Sequence, residues 1–79
     1  MVEIFLHKEA EHKAAAEKAA LAGDWRALRR EAEALVKLYG AILASGMVAA
    51  DSLQRWRDLR CKWREISQKA NVRIRAGAL

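Results

Sequence analysis

Arg57, Arg60 and Arg64 fall at i, i+3 and i+7, a spacing that sets three guanidinium groups along one flank of a helix. Arginine offers planar, paired N–H donors that match carboxylate or phosphate, so the chemistry this row suits is anion binding. No acid stands at helical spacing to neutralise it. On the other flank Asp51, Asp58 and Glu65 precede Arg55, Lys62 and Lys69 by four residues, the favourable orientation for ion pairs, and that flank is expected to neutralise itself. Like charges three or four residues apart cost a few tenths of a kcal/mol per pair, so an external anion explains the row better than stability does. A competing expectation pairs Arg60 with Glu31 or Glu33 of a neighbouring helix. Arg26, Arg29 and Arg30 form a second basic set and Arg73 and Arg75 a third. These eight arginines are candidate partner-binding residues.

Catalytic chemistry finds no comparable footing. The chain has no glycine-rich phosphate loop, no zinc-spaced Cys/His set and no activated-nucleophile pattern, so no enzyme activity and no cofactor are expected. His7, Glu11 and His12 are near enough in sequence to touch a metal, but on an alanine-rich helix they read as solvated side chains, and no metal site is expected. The lone Cys61 excludes an internal disulfide and fits a reducing compartment.

The elements that position the arginines follow from periodicity. Leu53, Trp56, Leu59, Trp63, Ile66 and Ala70 step by three and four, an amphipathic helix expected over about 48–71, its start either near Met47 or capped at Asp51 or Ser52, with a basic tail at 72–79. Trp25, Leu28, Ala32, Leu35, Val36, Tyr39, Ile42 and Leu43 mark another over about 25–44. A first helix over about 5–22 is alanine-rich, with Leu6, Ala10, Ala14 and Leu21 as its expected inner stripe. Gly23 and Asp24 suit a tight hairpin, glycine ending one helix and aspartate capping the next. Gly40 is read as permitting a close helix contact. The alternation in Val2–Leu6 and again in residues 72–76 leaves open a small two-stranded ribbon.

These 79 residues make a single all-α domain, a three-helix bundle formed by an antiparallel helical hairpin and a long basic third helix expected to cross both. Phe5, Trp25, Leu28, Leu35, Tyr39, Leu43, Trp56, Trp63 and Ile66 are the expected core. The net charge of +5 comes wholly from residues 47–79, which hold three acids and eight bases, and a localised basic surface calls for an acidic partner. The longest uncharged run, Leu38 to Ala50, is too short to span a bilayer, which takes about 20 residues. With no signal-peptide pattern in the first residues, a cytoplasmic location is expected. The same run is apolar or small nearly all round, which favours a homodimer.

The alanine-rich first helix, the Gly-Asp-Trp turn at Gly23 to Trp25 and the W-x-x-x-R stretch from Trp56 to Arg60 resemble the ANR and PerC-like families of small bacterial transcriptional regulators. The resemblance covers roughly half the chain, which departs from the families in the spacing between the two motifs and the place of its cysteine. It implies a regulator acting through protein contacts, as a dimer. The sequence reading is thus a small regulatory or inhibitory binding protein acting on an acidic protein or nucleoprotein partner through the basic flank of helix three. The alternatives are a direct DNA- or RNA-binding regulator, or an inhibitor of a bacterial defence or nucleic-acid enzyme carried by a phage or mobile element.

Overall fold

A computed structural model describes residues 2–46 and 48–77. Three α-helices account for most of it: α1 (Val2–Ala22), α2 (Trp25–Ala44) and α3 (Leu53–Gly77), with a 3₁₀ turn at Ala50–Ser52 before α3. The described residues form an all-α three-helix bundle and contain no strand. The 45 × 19 × 15 Å extents require the three helices to run along one long axis.

The first connection is built as its residues dictate. Gly23 takes φ +71°, its N–H reaches the Ala20 carbonyl, and the Asp24 N–H reaches that of Ala19. This pair of bonds closes the C-terminus of α1 with a left-handed glycine, which has no Cβ to clash. Asp24 then caps α2 by accepting the Ala27 N–H at 3.1 Å. At the second connection Gly46 also takes φ +71°.

α2 is the central helix, packing against α1 on one side and α3 on the other. Leu28, Ala32, Leu35 and Tyr39 are its buried residues, meeting Phe5, Ala16 and Ala19 of α1 and Trp63 and Ala70 of α3. Trp25, Trp56 and Ile66 are half-buried around this core. Phe5, Tyr39 and Trp56 form an aromatic cluster, with Phe5 edge-on to Trp56 at 5.3 Å and to Tyr39 at 6.2 Å between ring centres.

Four expectations are corrected here. First, α1 begins at Val2 and α3 runs to Gly77, so the ribbon alternative fails and the expected tail is helical as far as it is described. A lone two-stranded ribbon is marginal, whereas helix lets Phe5 join the aromatic cluster and holds Asn71 and Arg73 against α2. Second, of the starts open to α3 the later holds: it begins at Leu53, directly after Ser52, rather than near residue 48, because Ala49 is extended and the chain enters through the 3₁₀ turn. Met47 lies outside the described residues.

Third, the inner face of α1 is Phe5, Ala16 and Ala19, with Glu9 and His12 half-buried between them. Leu6, Ala10, Ala14 and Leu21 face outward, Leu21 at 87% exposure. Alanines surround α1 and give it little rotational preference. The angle is chosen by Phe5 and by two polar bonds to α2, Tyr39 Oη to Glu9 Oε2 at 2.6 Å and His12 Nδ1 to Glu31 Oε2 at 2.6 Å. Fourth, α3 packs along α2 and does not cross α1 closely: among the described residues no Cα of α1 lies within 8 Å of one of α3.

Gly40 sits inside α2, and a Cβ there would meet the Arg60 guanidinium at 3.7 Å, an ordinary contact. Only the end of the long Arg60 side chain reaches this position, so the close helix contact read from the sequence does not require a glycine here, and there is room for a methyl. Gly40→Ala is expected to stabilise the protein by about 0.5–1 kcal/mol through helix propensity. A thermal melt then rises by roughly 2–8 °C; an unchanged or lower midpoint refutes this.

Candidate anion-binding face

α2 and α3 are antiparallel, and two contacts fix their register. The Arg60 guanidinium lies against Gly40, and Arg29 Nη1 donates to Asn71 Oδ1 at 3.0 Å. That register sets Arg64 level with Val36 and Arg75 level with Trp25, next to Arg26. The outer seam between the helices thus carries Arg57, Arg60, Arg64 and Arg75 from α3 with Arg26 and Arg29 from α2. Glu33 is the acid among them, 4.0 Å from Arg29. From Arg57 to Arg75 the row extends about 27 Å at the helical rise of about 1.5 Å per residue.

The three arginines of the first row are not equivalent. Arg57 and Arg64 are exposed, while Arg60 is half-buried along α2, with its Nε sheltered from solvent and without a hydrogen-bond partner. The pairing of Arg60 with Glu31 or Glu33 is absent among the described residues: Glu31 is held by His12 at 2.6 Å, and Glu33 lies on the Arg29 side. Arg30 is exposed on the outer ridge of α2 beside the seam. Lys37 shares that ridge and was not among the sequence candidates, although its exposed helical position was readable. Arg73 belongs elsewhere, lying over the Trp25 ring at 5.3 Å on the opposite side of α3.

The self-neutralised flank is also corrected. None of the pairs Asp51–Arg55, Asp58–Lys62 and Glu65–Lys69 forms among the described residues. Asp58 instead accepts from Gln54 Nε2 at 2.8 Å. Arg55 and Lys62 lie over the rings of Trp56 and Trp63, each at 5.8 Å. An exposed helical ion pair contributes only about 0.2–0.5 kcal/mol, and an indole face beside a cation offers about as much.

His7 pairs with Glu11 at 2.7 Å on exposed α1, and His12 turns inward to Glu31, which separates the two histidines. Among the described residues no group of three or more His, Cys, Asp or Glu is placed to hold a metal. Cys61 is exposed. No helix is long and apolar enough to cross a membrane among the described residues.

Beneath the aromatic cluster, Tyr39 is fully buried, and Lys13 Nζ stands 3.6 Å from the Glu9 carboxylate that the phenol bonds. Burial first, and the Glu9 carboxylate second, push the Tyr39 pKa well above its ordinary value. The Trp63 indole N–H acts on the phenol in the other direction without closing into a hydrogen bond. The Tyr39 phenol and the Glu9 carboxylate are withdrawn from solvent, which makes this a structural cluster, with Lys13 at its exposed edge.

Comparison of the chain with family models, with curated proteins and with solved structures finds no match.

Proposed function

We propose that this chain is a non-enzymatic regulatory binding protein that engages a nucleoprotein partner through the arginine face of α2 and α3. The observation that carries the reading is the seam itself: six arginines from two helices share one face with Glu33 as its acid. Of the partners left open by the sequence, acidic protein and nucleic acid, the face favours phosphate. Protein interfaces centre on a buried apolar or aromatic anchor, and the exposed large apolar residues, Ile4, Leu6, Leu21 and Val72, all lie off this seam. A row of guanidinium groups without such an anchor, Arg26, Arg57, Arg64 and Arg75 of them exposed, suits backbone neutralisation with counterion release.

Fluorescence anisotropy with a labelled random-sequence duplex tests the proposal. The parent is expected to bind with a logarithmic affinity that falls linearly as salt rises from about 50 to about 200 mM. Arg57→Ala/Arg64→Ala/Arg75→Ala should keep the helical content and melting temperature while making the salt slope shallower by roughly 2.7, about 0.9 for each lost phosphate contact. The matching triple lysine variant should keep the slope with reduced affinity. A parent that fails to bind duplex at about 50 mM salt overturns the phosphate reading.

A homodimer belongs to the same proposal and uses a different end. An apolar cleft of about 390 Å³ is lined by Phe5, Leu6, Leu38, Ile42, Val48 and Trp56, with Leu6 47% exposed at its edge. Light scattering is expected to show the mass rising towards twice the monomer with concentration, and Leu6→Asp should hold it at the monomer. A parent that stays monomeric throughout removes the dimer.

A further inference from the structure

On the side of the molecule away from the arginine face, α1 and α3 leave an open groove of about 490 Å³. Leu28 of α2 is its floor, Trp63 and Ile66 of α3 form one wall, and Ala16 and Ala20 of α1 the other. It stays open because alanines give that wall no reach toward α3, whose Cα atoms stay more than 8 Å away. Past Ile66 a continuing hollow runs to Trp25 beside Lys69 and Arg73. An apolar channel between two helices, floored by a third, has the shape of a four-helix bundle lacking one member.

The rim decides what fits. Lys13, Lys62, Lys69 and Arg73 border the groove and its continuation against Glu17. Among the described residues Lys62, Lys69 and Arg73 have no carboxylate within ion-pair distance; Lys62 and Arg73 lie over indole rings instead. A second copy of this chain does not supply the complement. The apolar stripes of α2 and α3 are used in their own core, α3 is basic, and the outer face of α1 mixes Lys8 and Lys18 with Glu3 and Glu11.

We propose that this groove docks a short acidic amphipathic helix of a partner protein. Its apolar stripe lies on Leu28, Trp63 and Ile66, and its carboxylates face Lys62, Lys69 and Arg73. The wall from Lys62 to Arg73 is about 17 Å long, enough for about three helical turns. This is the mode in which a groove reads residues at i, i+3, i+4 and i+7. The proposal goes beyond the phosphate-binding reading and does not depend on it.

The test titrates the full chain with two synthetic peptides of the same length, each carrying leucines at i, i+3, i+4 and i+7, one with glutamate and one with lysine elsewhere, followed by tryptophan fluorescence. The Leu/Glu peptide is expected to bind one to one and at least about tenfold more tightly than the Leu/Lys peptide. Ala20→Trp, which fills the groove, and Lys62→Glu/Lys69→Glu, which inverts its rim, should each weaken it by about tenfold or more. Arg57→Ala/Arg64→Ala should leave it unchanged, which separates this site from the arginine face. If Ala20→Trp does not fold, the exposed Lys62→Glu/Lys69→Glu pair decides. Absence of Leu/Glu binding, equal binding of both peptides, or binding lost only with the arginine variant overturns the proposal.

Discussion

Trp63→Ala is expected to lower the unfolding free energy by about 3–5 kcal/mol, the range for truncating a buried aromatic. Trp63 is 9% exposed and belongs to the core cluster with Leu28, Leu35 and Tyr39. It is the large buried side chain of α3, whose other fully buried residue is Ala70. The loss therefore falls on the one helix that carries most of the arginine face. A chain of this length has a total stability of roughly 4–12 kcal/mol, so the loss takes from about a quarter to all of it. Trp63→Phe separates packing from the indole N–H, which is buried without a hydrogen-bond partner. Phenylalanine keeps much of the apolar area and removes an unpaired donor whose burial costs about 1–3 kcal/mol, so it should be destabilised far less. Urea unfolding followed by circular dichroism measures both. A Trp63→Ala protein that unfolds with the parent's midpoint moves this side chain out of the core.

The second large effect is an alkaline limit set by Tyr39, the protein's single tyrosine. Its ring is fully buried and its hydroxyl donates to Glu9 at 2.6 Å, and burial and that carboxylate both raise its pKa. The fold holds the neutral phenol. This contribution to stability is complete below about pH 10, where unfolded tyrosine ionises, and is lost as pH rises from there toward the higher folded-state value. Within that window each pH unit removes up to about 1.4 kcal/mol. Tyr39→Phe should cost about 1–3 kcal/mol at neutral pH by leaving the Glu9 carboxylate without its donor, and should flatten the alkaline slope. Unfolding free energies of parent and variant, measured on both sides of about pH 10, isolate the phenol's contribution, since the two chains differ in that group alone. The phenolate absorption band should appear together with unfolding; a phenolate that forms near pH 10 while the helices persist would place the hydroxyl in solvent.

The two regions share one helix without sharing a surface. Trp63 anchors α3 through the core, and Arg57, Arg64 and Arg75 project from the flank that follows. Variants at the exposed arginines should therefore change binding without changing unfolding, and variants at Trp63 should change both. This difference distinguishes a lost partner contact from a lost fold.

What one or two turns of chain can specify was legible in the residues alone. Gly23 with Asp24 dictated the hairpin, because a left-handed glycine and a capping carboxylate act on neighbouring backbone groups. The three-and-four steps of Leu53 to Ala70 dictated an amphipathic helix, and with it a common flank for Arg57 and Arg64, since that follows from helical geometry alone. Only the tertiary structure decided how the helices are rotated and registered. α1 carries alanines on every side, so contacts 19 to 34 residues distant, from His12 to Glu31, from Glu9 to Tyr39 and from Phe5 to Tyr39, choose its buried face. Arg60 against Gly40 and Arg29 against Asn71 bring two arginine sets to one seam while Arg73 goes to Trp25. The expected ion pairs on α3 gave way for a related reason. Their acids and bases lie one turn apart with little to gain from an exposed pair, and Arg55 and Lys62 lie over indole rings whose orientation is fixed by packing against the other helices.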